Sequence, residues 1–178
     1  MEQELKEIKE HILKLNEFYL ERVALVLNMS ALTEEAKSEM VRDLFYSLIE
    51  EIYVDILKFL GDSNKPHKNL GNLLSSYQGR TPEERLIEHI QYYQETKNLV
   101  RALERIELLF NNESFYLLNH MLYEDAKSWA VWGEVVTDEV ACGRCYDAAP
   151  HGRVPIDELE SQLPPYHPDC RCYIIYYT

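Results

Sequence analysis

All four cysteines of this chain fall between Cys142 and Cys172, and the 141 residues before them contain none. That distribution divides the chain into two folding problems. The long cysteine-free part must hold itself together by burying apolar surface. The short tail is Pro-rich, with four of the seven prolines between Pro150 and Pro165. At about 50 residues it is too small to stand by core burial alone and needs a staple or a neighbour.

The cysteine-free part reads as helices. Leu5, Ile8, Ile12, Leu15, Tyr19, Val23 and Val26 recur every three or four residues and draw one apolar stripe. Thr33 followed by two glutamates starts a second helix, whose stripe runs from Val41 through Phe45, Ile49 and Ile52 to Leu60, where Gly61 stops it. Residues 61–72 are turn-rich. In TPEE, Thr81 caps a third helix, Pro82 takes its first position and Glu84 closes a capping box. Its stripe runs from Leu86 to Phe110, and Asn111–Asn112 breaks the pattern. A fourth helix runs from Ser114 to about Trp132. The closing CYIIYYT, rich in β-branched and aromatic residues, reads as a strand. The expected architecture is mainly α: a helical N-terminal domain of about four helices over residues 1–128, then a small zinc-stapled Cys/His module with short β-strands over 129–178.

Charge bounds the partners. Thirty-one acids against 18 bases give a net charge of -13, which repels a phosphate backbone and argues against direct nucleic-acid binding. Lys97, Arg101 and Arg105 make a narrow basic stripe, read as a solvated helix face. The opening MEQELKEIKE carries neither a basic n-region nor an apolar h-region, and no stretch is apolar enough to span a membrane. The expectation is synthesis in a reducing cytoplasm, where clustered cysteines favour metal over disulfide.

The cysteine spacing agrees. Cys142-x2-Cys145 is followed after 21 residues by His167-x2-Cys170-x-Cys172. Two ligand pairs, each made on a tight turn, build a tetrahedral cage. Cys142, Cys145, His167, Cys170 and Cys172 are five donors for four places, and spacing does not choose among them. His151 is a minor substitute. Gly143 fits a turn within CGRC, Arg144 and Arg171 set positive charge beside the thiols, and Pro164, Pro165 and Pro168 restrict the segment that delivers His167. Disulfides, thiols packed as small hydrophobes, and a catalytic metal or thiol are the other readings. Five donors point to a closed structural zinc rather than a site with an open water position. The carboxylates read as solvated, and no nucleophile, base and oxyanion site come together, so the expectation is no enzyme.

One ordered set of residues is more specific than the spacing. A Trp (Trp129 or Trp132) precedes Asp138 in VVTDEVAC, then CGRC, a loop, and PPYHPDCRC. This tail resembles the C-terminal module of tailed-phage minor head proteins, the Mu F-like head morphogenesis family. The resemblance covers residues 129–173. It implies a non-catalytic component present in few copies near the portal, aiding head assembly or DNA delivery. It also implies portal or other capsid proteins as partners, and a location in the host cytoplasm during assembly and then in the procapsid or virion interior. Residue by residue it marks Cys142, Cys145, His167, Cys170 and Cys172, with Asp138 as a group that orients a ligand. The competing reading is a free-standing, zinc-stabilised acidic adaptor or inhibitor.

Overall fold

A computed structural model describes residues 2–61, 73–75, 79–137, 143–168 and 170–178. Four long helices carry the chain: α1 (Glu2–Asn28), α2 (Glu34–Phe59), α3 (Pro82–Thr96) and α4 (Leu99–Ala126). The caps are those the sequence announces. Thr33 is extended and its hydroxyl accepts from Ala36 N at 3.2 Å. Thr81 and Glu84 exchange their capping-box hydrogen bonds. Gly61, at φ +72°, takes the left-handed turn that ends α2.

One boundary differs from the sequence reading. The break falls at Lys97–Asn98, where Lys97 is left-handed (φ 55°) and the Asn98 side chain caps α4 by accepting from Arg101 N at 3.1 Å. Asn111 and Asn112 do not break α4. The buried Asn111 side chain accepts from Asn16 Nδ2 at 2.9 Å, and Asn112 Nδ2 donates to Glu113 at 2.9 Å. Tertiary partners remove the local competition that makes Asn a helix breaker.

The apolar stripes meet in one core. α1 packs on α2 and α4, and α3 packs on α4. Phe45 and Phe110 stack at 5.8 Å, and both are fully buried. Within this body one carboxylate is not solvated as the sequence suggested. Glu113 is fully buried and accepts from Ser75 N (2.9 Å), Ser75 Oγ (2.6 Å), Arg85 (2.6 Å) and Asn112. The basic stripe is engaged by its own chain: Lys97 with Glu34, Arg101 with Glu104, and Arg105 over the Tyr92 ring at 4.0 Å. Among the described residues no helix is long and apolar enough to cross a membrane.

The tail folds as a three-stranded antiparallel sheet in the order β2-β1-β3: β1 (Trp132–Val136), β2 (Arg153–Pro155) and β3 (Tyr173–Tyr177). Trp132 therefore opens a strand rather than closing a helix. A short helix α5 (Gly143–Ala148) stands between β1 and β2. The sheet lies against the helices: Tyr173, Ile174 and Tyr176 of β3 and Leu159 join the helical core. Tyr173 and Tyr176 are buried, with Lys9 Nζ 4.3 Å from the Tyr173 ring centre. Trp129 and Trp132 are the reverse, each about 40% exposed.

Candidate metal centre

Helix α5 begins at Gly143 within CGRC, a helical turn where the sequence suggested a simple turn. It points Cys145 inward and leaves Arg144, Tyr146 and Asp147 in solvent. The segment before β3 supplies the other donors. A backbone hydrogen bond from Cys170 N to His167 O, 3.1 Å, closes the turn between them. Tyr166 donates its hydroxyl to Gln162 O at 2.8 Å and lays its ring on the cysteines.

Cys145, His167 and Cys170 converge, with one ligand atom from each lying within 4.8 Å of the others. Cys145 Sγ is 2.9 Å from His167 Nε2 and 3.9 Å from Cys170 Sγ. The sulphur spacing is far too long for a disulfide, about 2.05 Å. It matches the edge, about 3.8 Å, of a tetrahedron whose corners lie about 2.3 Å from its centre, the zinc–thiolate distance. The imidazole is oriented for the same work. Nδ1 lies 2.6 Å from Pro168 O, and a carbonyl only accepts, so Nδ1 carries the proton and Nε2 offers a lone pair to the cluster.

Cys172 is fully buried and packs with Cys145 and Cys170, Val135 and Tyr166. Its backbone is held from the helical side: Asn119 Nδ2 donates to Cys172 O at 3.1 Å and to Phe115 O at 2.9 Å. Thus Cys145, His167, Cys170 and Cys172 are brought together. Cys142 and Asp138 lie outside the described residues. His151 is exposed beside β2 and is not one of the converging donors.

The electrostatics of the thiols point the same way. A hydrogen bond from Cys172, against the upward push of burial and with help from backbone amides, holds Cys170 down at about 5. That same contact, then burial and the negative neighbours, push Cys172 up. Burial first and the thiolates next push the Tyr166 hydroxyl up. The donor set of thiolates and an imidazole fits a soft or borderline divalent ion and not a hard one.

Sequence spacing found the ligand candidates, but not Tyr166, Asn119 or the Pro168 carbonyl that orient them. Asn119 in particular sits inside a helix 53 residues before its partner, and nothing local marks it. No protein-family model, curated protein or solved structure matches this chain.

Proposed function

We propose that this chain is a non-catalytic interaction protein: a helical body carrying a C-terminal module closed by a structural zinc ion. The observation that carries the proposal is the enclosure of the donors. The thiols of Cys145, Cys170 and Cys172 are 2%, 0% and 0% exposed and His167 is partly buried, whereas a catalytic zinc keeps a position open to water and substrate. Cys145, His167 and Cys170 would hold the ion, with Cys172 or Cys142 as the fourth ligand. The ion would supply cross-linking and charge neutralisation to a module with little core of its own.

The resemblance over residues 129–173 favours a head-morphogenesis role, with portal or other capsid proteins as partners and assembly in the host cytoplasm. Metal analysis of native protein purified without chelator, with a thiol titration, tests the closed site. The expected result is about one zinc per chain and thiols that react only after chelation. Four freely titrating thiols and no metal would remove it. Co-sedimentation with a portal ring tests the role, and absence from assembled heads would leave the acidic adaptor or inhibitor reading. A net charge of -13 and the acid-rimmed groove described next favour that second reading.

A further inference from the structure

Where the sheet meets the helices the surface opens into a groove of about 460 Å³. Its floor is apolar, made by Leu5 of α1, Phe59 and Leu60 at the end of α2, Leu122 of α4 and Ile174 of β3. One wall is Trp129, 41% exposed, standing edge-on to Tyr176 at 6.3 Å and donating its indole N–H to Asp125 at 3.0 Å. A large, rigid, half-exposed aromatic over a concave apolar floor is the residue type and setting that dominates binding energy at protein interfaces.

The charged side chains of the rim are acidic. Glu4, Glu7 and Asp125 line the groove, and no lysine or arginine does. Glu4 also meets the chain's own N-terminal amine, so Glu7 and Asp125 carry most of the rim's field. Low-dielectric walls focus the field of such carboxylates into the cleft.

From this juxtaposition we infer that the groove is a docking site for a cationic, apolar-anchored segment of a partner protein: a bulky aliphatic or aromatic residue seated against Trp129, flanked by Lys or Arg facing Glu4, Glu7 and Asp125. An acidic peptide is repelled by the rim. A second copy of this acidic chain would bring its own negative charge to the groove. The inference deepens the interaction-protein reading by naming the partner's chemistry, and its outcome is separable from that of the metal site.

The test uses the full chain in its purified state, with metal content recorded. The probe is a fluorescein-labelled synthetic peptide, Lys-Leu-Lys-Phe-Lys-Leu-Lys, and its counterpart with every Lys replaced by Glu. Fluorescence anisotropy should show saturable binding of one cationic peptide per chain and none of the acidic one. Trp129→Ala should weaken binding by about tenfold or more. Glu4→Lys with Glu7→Lys should weaken it by a similar factor and flatten its salt dependence. Both glutamates are exposed, so far-UV circular dichroism should be unchanged in that variant, which keeps the test decisive if Trp129→Ala destabilises the fold. Absence of saturable binding, or binding indifferent to both variants, overturns the inference. So does a dimer in sedimentation that excludes the peptide, since the occupant is then a second copy. Intact peptide binding without zinc strikes only the metal reading, and a loaded site without peptide binding strikes only the groove.

Discussion

Two buried sites of the described residues invite comparison, the Glu113 carboxylate in the helical body and the thiols of Cys145, Cys170 and Cys172 in the C-terminal module. They are handled in opposite ways. Glu113 is fully buried and paired: Arg85 neutralises it, and two donors from Ser75 and one from Asn112 bond the same carboxylate. The thiol cluster is built from donors of the metal-binding type, the His167 imidazole and the sulphurs themselves. The body rests on apolar burial and on a buried carboxylate paired within its own chain. The module, built on strands of five, three and five residues, would be closed by an ion on the reading proposed above.

The largest effect should come from removing that ion. Chelation, or Cys170→Ser, should withdraw on the order of 10 kcal/mol of apparent folding energy from the module. Hydrogen exchange should then rise at β1 and β3, and the near-ultraviolet signal of Trp129 and Trp132 should collapse, while the helical far-ultraviolet signal largely persists. Unchanged protection of β1 and β3 after complete chelation would break the contrast: the module would then stand, like the body, on packing against α4.

Next in size is the body's own buried charge. Glu113→Ala removes one partner of a buried ion pair and leaves Arg85, whose side chain is 12% exposed, facing an uncompensated site. The expected loss is about 3–5 kcal/mol in urea unfolding. Replacing both partners, Glu113→Leu with Arg85→Met, should recover most of it, because apolar isosteres of a buried pair are often neutral or better. A loss under about 1 kcal/mol for the single variant would mean that water already compensates the pair, and the body would not rest on that pair in the sense argued.

A third measurement probes the seam between the two regions. Gly133 of β1 has no room for a side chain: a Cβ there would lie 2.5 Å from Leu159 Cδ2 and 3.2 Å from Ile174 Cγ2. Gly133→Ala should cost about 1–3 kcal/mol by overpacking, and Leu159→Val should relieve part of it. A neutral Gly133→Ala in thermal unfolding would show that the module's interior, unlike the body's, gives way freely around an added methyl.

The same division governs what could be read from sequence. The stripes of α1 and α2 are legible because burial of Ile12, Val23, Phe45 and Ile52 at helical spacing is a local pattern. The Cys/His spacing is legible because a chelate must be built on short turns. Features set by distant partners are not. Asn111 looks like a helix breaker until Asn16, 95 residues away, accounts for it. Glu113 looks solvated until Arg85 is placed beside it. β1 is hidden because its partners, β2 and β3, lie about 20 and 40 residues downstream and WGEVV has little alternation of its own. The α3–α4 break at Lys97 carries neither Gly nor Pro, the usual punctuation.

The smallest effect concerns the body's surface, where charge meets water and should matter least. Asp55 accepts from Lys58 at 2.7 Å and His11 at 2.8 Å. Burial pushes its carboxyl upward, but the hydrogen bonds and charges of Lys58 and His11 outweigh it and hold the pKa below the ordinary 3.8. The folded state therefore favours the carboxylate. Its stabilisation is complete above pH 3.8 and fades as pH falls through the lower folded value. The Asp55 and Lys58 side chains are 20% and 63% exposed, so screening keeps the contribution under about 1 kcal/mol. Asp55→Asn should remove that share at pH 6 and leave stability near pH 2 unchanged, read as converging urea midpoints of variant and parent on acidification. Midpoints that stay apart at low pH would assign the effect of Asp55 to packing rather than charge. The surface of α1 and α2 would then resemble the buried Glu113 site more closely than its exposure suggests.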